Sequence, residues 1–154
     1  MKEKKKYIFL TLYIITILLI FFLSLRDANE STDDSGFIMN IVLSILKIFK
    51  DEQTINIELV CLLVRKLIGH YGMFCICGLF GYFTYNSFIE TNKIKILVYI
   101  LSGIFIAVIA ELLQLVSPGR SCQISDMFID YSGYITSLLL CTVLSIIIKS
   151  KQKD

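Results

Sequence analysis

Apolar residues along this chain come in long runs. They do not follow the alternating or 3.6-residue patterns of a water-facing domain, and runs of that kind need lipid as their solvent. Four of them are long enough to cross a bilayer: Tyr7–Leu25, Leu67–Ile89, Ile96–Val116 and Met127–Ile148. Each reaches or nearly reaches the roughly 20 residues that a hydrocarbon core of about 30 Å requires at about 1.5 Å per residue. The pattern predicts an all-α membrane protein of four transmembrane helices, with residues 1–154 forming a single domain. Lys4, Lys5 and Lys6 before the first run also fit a secretory signal. However, the run is longer than a usual signal core and "SLRDANE" offers no small-x-small cleavage site, so a retained helix is expected.

The segment between the first two runs has a different period. In "SGFIMNIVLSILKIFKD", Phe37, Ile38, Ile41, Val42, Ile45, Leu46 and Phe49 fall on one helical side, opposite Asn40, Ser44, Lys47 and Asp51. This predicts an amphipathic helix over about residues 36–50 with Ser35 as its cap, too short and too charged at its end to span. It either lies in the membrane interface or packs on the bundle as a lid. A further helix is expected to start near Asn56, with Glu58 in its first turn, and to run into the second span through Arg65 and Lys66. Gly69, Gly72, Gly78 and Gly81 thin that span, and Gly133, Ser137 and Cys141 form a small-residue row on the fourth, which favours close helix packing.

Charge sets the orientation. The net charge of +2 says little, but nine of the twelve lysines cluster at residues 2–6, 93–95 and 149–153. With four spans those places share one side, which positive charge marks as cytoplasmic. Ten of the thirteen acids and all three arginines fall towards the other side. Both termini are therefore expected inside and the amphipathic segment in the first outer loop.

Polar groups recur at one depth. Counting about 1.5 Å per residue from each span's lysine-rich end, Arg26, His70, Glu111, Gln114 and Asp130 all stand roughly 24–30 Å up, at the outer edge of the hydrocarbon. Lys66 and His70, Glu111 and Gln114, and Asp126 and Asp130 are spaced three or four apart, so each pair shares a helix face. Ionisable groups this deep are costly and normally face a bundle interior or a watery cavity. Arg26, Arg65 and Lys66 can also simply snorkel from helix ends. The "SPGR" turn lets Arg120 swing back over the helix ends, where Glu111 and Asp126 are the expected partners.

"VRKLIGHYGMF" followed by "ELLQLVSPGRSCQISDMFIDYSG" resembles the VanZ family of small bacterial membrane proteins. The residues that carry the resemblance are Lys66, His70, Glu111, Gln114, Pro118, Gly119, Arg120, Asp126, Asp130 and Gly133, with Ser24 and Arg26 fitting the polar end of the family's first span. Asp130 stands where the family often has Asn, Ser137 where a second Gly is common, and Met73 and Phe74 where an acid and Tyr are frequent. The resemblance implies a multi-pass protein of the bacterial plasma membrane and a part in resistance to teicoplanin, a glycopeptide antibiotic with a fatty tail.

Two functions fit these residues. In the first, Arg26, Lys66 and Arg120 hold a phosphate or carboxylate while Glu111, Asp126 and Asp130 orient them. The ligand would be a membrane lipid, a lipid-anchored glycopeptide or a lipid-linked cell-wall precursor. In the second, the protein is a membrane-embedded hydrolase or transferase of lipid headgroups, with His70 as general base and Glu111 or Asp126 as its partner. Ligand types would allow a metal on His70, Glu111, Asp126 and Asp130, but one histidine among scattered acids is weak support, so neither a metal nor a cofactor is expected. No nucleotide loop, zinc spacing or serine-hydrolase elbow occurs, and no nucleic-acid partner is expected. Cys61 and Cys122 both fall near the outer side, and their spacing leaves open whether they pair. The oligomeric state is likewise open.

Overall fold

A computed structural model describes residues 2–49 and 54–151, apart from the side chains of residues 2, 29–35 and 37. Five helices make up nearly all of it: α1 (Lys2–Ser24), α2 (Ala28–Phe49), α3 (Ile57–Phe88), α4 (Asn92–Gln114) and α5 (Ile124–Lys151). Among the described residues there is no strand. α1, α3, α4 and α5 are long and apolar enough to cross a membrane, in agreement with the four expected spans. Their outward residues fit that setting, since Leu18, Phe105, Phe128 and Ile146 are all exposed.

Two helix starts show how local and tertiary signals divide. α3 begins where expected: the Asn56 side chain accepts from the Leu59 N–H at 3.0 Å, and Glu58 sits in the first turn. α2 does not begin near Ser35 but at Ala28, so Ser35 lies inside the helix and is not its cap. The Ala28 N–H donates to the Pro118 carbonyl at 3.2 Å. A group about ninety positions away in sequence thus satisfies the free helix start, and no local pattern announces it. Ser35 and Phe37 have no described side chain, and Asp51 lies outside the described residues. The apolar stripe of α2 is divided: Ile38, Val42 and Leu46 are half-buried, while Ile41, Ile45, Ile48 and Phe49 are exposed. The helix therefore covers the bundle on one side and leaves an apolar row on the other.

The core holds Tyr13, Ile20, Phe74, Cys77, Tyr99, Ile106, Ala107, Ala110 and Tyr134. Its tyrosine hydroxyls are paired as burial requires. Tyr134 lies 2.9 Å from Tyr13 and 3.0 Å from Ser102, and Tyr99 donates to the Tyr134 carbonyl at 2.6 Å. α5 packs on α3 through its small-residue row. Cys75 donates its S–H to the Gly133 carbonyl at 3.1 Å, and the Ser137 hydroxyl donates to the Cys75 carbonyl at 2.5 Å. Any Cβ at Gly133 would run into the Tyr71 carbonyl oxygen. Within α3 the stretch Arg65–Gly72 is π-helical, with hydrogen bonds five residues apart. Such stretches are rare and recur at functional sites.

Gly133→Ala is therefore expected to lower the thermal midpoint of the detergent-purified protein by several degrees, as an overpacked interface costing about 1–3 kcal/mol would. Gly69, which has nothing within 4 Å of an added Cβ, should accept Ala with little change. Equal losses in thermal melts of the two variants would remove helix approach as the reason for Gly133.

Candidate functional site

The π-helical stretch of α3 supplies Lys66 and His70, α4 supplies Glu111 and Gln114, and α5 supplies Asp126 and Asp130. The structure brings all six together at one end of the bundle, and every one except the partly exposed Lys66 is buried. Lys66 Nζ lies 2.6 Å from Asp126 Oδ1, to which the Ser125 hydroxyl also donates at 3.3 Å. His70 Nδ1 lies 3.0 Å from Asp130 Oδ1. Glu111 Oε1 is 3.8 Å from the same nitrogen, and Asp126 Oδ2 is 3.9 Å from Nε2. Three carboxylates thus surround one imidazole.

Glu111 has its own donors. The Gln114 side-chain amide reaches Oε1 at 2.5 Å, and the Gln123 backbone N–H reaches Oε2 at 3.0 Å. Sequence spacing could find Gln114 but not Gln123, whose backbone joins the cluster only because the α4–α5 loop folds over Glu111. The histidine's partner also differs from expectation, being Asp130 in place of Glu111 or Asp126. With Nδ1–H donated to Asp130, the neutral imidazole keeps its lone pair on Nε2.

Arg120 is the clearest departure. It was expected to bridge Glu111 and Asp126, yet among the described residues no ion pair joins it to either acid. Its guanidinium donates instead to the Leu23 carbonyl at 3.1 Å and the Arg26 carbonyl at 3.5 Å, beside a Ser117 hydroxyl bond to the Ser24 carbonyl at 3.1 Å. These carbonyls lie at and just past the C-terminal end of α1, where a cation is favoured. Gly119, at φ +73°, turns the loop towards α1, while the acids have already found Lys66, Gln114 and Gln123. Arg120 Nε is buried without a partner. Burial depresses the Arg120 pKa, the neighbouring Arg65 guanidinium adds to the effect, and Glu111 and Asp126 act against it.

A cavity of about 240 Å³ opens beside His70. Its apolar wall includes Ile20 and Leu23 of α1, Ile38 of α2, and Val64, Ile68 and Phe74 of α3. Its polar lining is Ser24, Arg65, His70, Gln114, Arg120 and Asp130. A second cavity, of about 480 Å³, is bordered by Glu58, Cys61, Arg65, Lys66, Gln123 and Asp126. Arg65, which the sequence marked only as able to snorkel from a helix end, borders both. Arg26 lines neither and contributes its backbone carbonyl to Arg120. Cys61 and Cys122 are free thiols.

A family model described as VanZ/LLP1 matches residues 9–146, which takes in every residue of the cluster. No curated protein and no solved structure matches the chain significantly.

Lys66→Met should destabilise the protein by about 3 kcal/mol, because it leaves a buried carboxylate unpaired, and adding Asp126→Asn should recover at least about 1 kcal/mol. Arg120→Ala and Glu111→Gln should couple more weakly, since no ion pair joins them and their hydrogen-bond partners differ. A double-mutant cycle on unfolding free energy reads both pairs, and additive losses for Lys66 and Asp126 would show that their charges act separately.

Proposed function

The chain belongs to the VanZ/LLP1 family, and from that membership we propose that it is a multi-pass cell-envelope protein that binds the anionic headgroup of a membrane amphiphile in the cavity beside His70. The composition of the cavity wall carries this reading: it combines aliphatic side chains from three helices with two guanidinium groups, Arg65 and Arg120. A fatty tail fits the first and a phosphate or carboxylate the second, because a guanidinium fork matches both anions. Arg65 takes the place that the sequence pattern suggested for Arg26 and Lys66, since Lys66 is committed to Asp126. A lipid-linked cell-wall precursor and a lipid-tailed glycopeptide both combine such a tail with a charged head.

The lysine clusters favour both termini in the cytoplasm and the cavity at the outer leaflet. In a cysteine-free background, Ser44→Cys on the exposed face of α2 should then react with a membrane-impermeant maleimide in intact cells. Reaction only after lysis would invert the orientation.

Headgroup binding is measured by calorimetry in detergent with a short-chain phosphatidate and the matching neutral diglyceride. The phosphatidate should bind, and Arg65→Ala or Arg120→Ala should weaken it about tenfold, roughly 1.4 kcal/mol. Equal affinity for the neutral lipid would sink the proposal.

The bond between His70 and Asp130 favours a second reading, a hydrolase or transferase of lipid headgroups. Asp130 holds Nδ1, so Nε2 is the nitrogen free to take a proton from an attacking hydroxyl or water. In that case the protein cleaves or exchanges the headgroup of a bound phospholipid, and His70→Ala abolishes turnover while keeping binding. Absence of any product from the wild type leaves binding alone.

A further inference from the structure

The cluster around His70 holds more negative charge than its neighbours balance. Glu111, Asp126 and Asp130 are all buried, and Lys66 is the one cation in an ion pair with any of them among the described residues. Arg120 lies near enough for its charge to be felt, but it gives its hydrogen bonds to the end of α1. Two carboxylates are left over in a setting where an unpaired charge is expensive. We propose that His70 Nε2, Glu111 and Asp126 hold a divalent cation, with Gln114 Oε1 as a further donor and Asp130 orienting the imidazole. Three carboxylates, one lysine and one doubly charged ion then sum to zero.

The geometry fits. One donor atom from each of His70, Glu111 and Asp126 can be chosen so that all lie within 4.8 Å of one another. Nε2 is 3.9 Å from Asp126 Oδ2, the oxygen that Lys66 leaves unused. Donors about 2.1 Å from a shared ion stand roughly 3–4 Å apart; Glu111 Oε1 faces Nδ1, at 3.8 Å, so its carboxylate has to swing towards Nε2 to share the ion. Gln114 supplies an independent pointer. It is 1% exposed, its amide nitrogen is spent on Glu111, and its Oε1 has no hydrogen-bond partner although the side chain lines the cavity with His70 and Asp130. A buried carbonyl oxygen without a donor is what a metal ligand looks like before the ion arrives.

Asp130 completes the pattern. A ligating histidine almost always donates its other N–H to a carboxylate or carbonyl, which fixes the tautomer and raises the basicity of the ligating nitrogen. The Nδ1 contact with Asp130 at 3.0 Å meets that requirement. The two cavities provide ways in, one reaching His70 and Gln114 and the other reaching Asp126. One nitrogen among oxygen donors selects a borderline-hard ion such as manganese, with zinc as its competitor.

The site needs no amphiphile, so it can be tested apart from the headgroup reading. Chelator-treated wild type in detergent, without added lipid, is titrated with Mn²⁺ while the six-line resonance of free Mn²⁺ is followed. It should remove about one equivalent from the signal, and Zn²⁺ should displace it. Asp130→Asn should weaken uptake about tenfold, the usual effect of losing the group behind a ligating histidine. Glu111→Gln and His70→Ala should weaken it at least as much, with circular dichroism and gel filtration confirming that each variant is folded. Arg65→Ala should weaken phosphatidate binding about tenfold yet keep Mn²⁺ uptake, which separates failure of one site from failure of the other. No stoichiometric uptake of either ion by the wild type would overturn the proposal and leave protons to neutralise the acids. Undiminished uptake by folded Glu111→Gln would overturn it equally.

Discussion

A carboxylate inside a membrane bundle must find its donors within the bundle, because lipid offers none. Glu111, Asp126 and Asp130 impose that demand at one level of this protein, and much of the architecture follows from meeting it. α5 has to approach α3 closely enough for Asp130 to reach His70. The absent side chain at Gly133 permits the approach, and the π-helical turn of α3 lies directly against it. Cys75 and Ser137 then pin the two helices through each other's backbone carbonyls. The buried charge and the small-residue row are two parts of one requirement.

The loop between α4 and α5 has a comparable double duty. Its Gln123 N–H holds Glu111, its Arg120 and Ser117 close the end of α1, and its Pro118 carbonyl receives the start of α2. Without these contacts the end of α1 and the start of α2 would lose partners for their terminal backbone groups, which is costly away from water. Residues that resemble a ligand-facing motif in one dimension thus carry much of the structural work in three. Arg120 does both, since its Nε remains unpartnered at the cavity wall.

This division of labour bears on function. The cavity combines an aliphatic wall with two guanidinium groups, and the histidine cluster shares it through His70, Gln114 and Asp130. The proposed headgroup capture draws on the first, and the proposed proton or cation chemistry on the second. The half-buried row of α2 borders the cavity through Ile38, while Ile41, Ile45, Ile48 and Phe49 of the same helix stay exposed.

The sequence by itself determined the four spans, the start of α3, the depth at which polar groups gather and the family. It also singled out nearly all the residues of the cluster. Each of these depends on distance along one helix, and a fixed rise per residue converts sequence position into height. Tertiary structure alone decided which residues at that height meet. It gave His70 to Asp130, turned Arg120 to the end of α1, brought Arg65 into the cavity and left Arg26 out, added the Gln123 backbone, and started α2 seven residues before Ser35. Those choices rest on the rotation of each helix about its axis and on the path of one loop. Both are set by packing between segments far apart in sequence, to which hydrophobic periodicity and charge spacing within any one segment are blind.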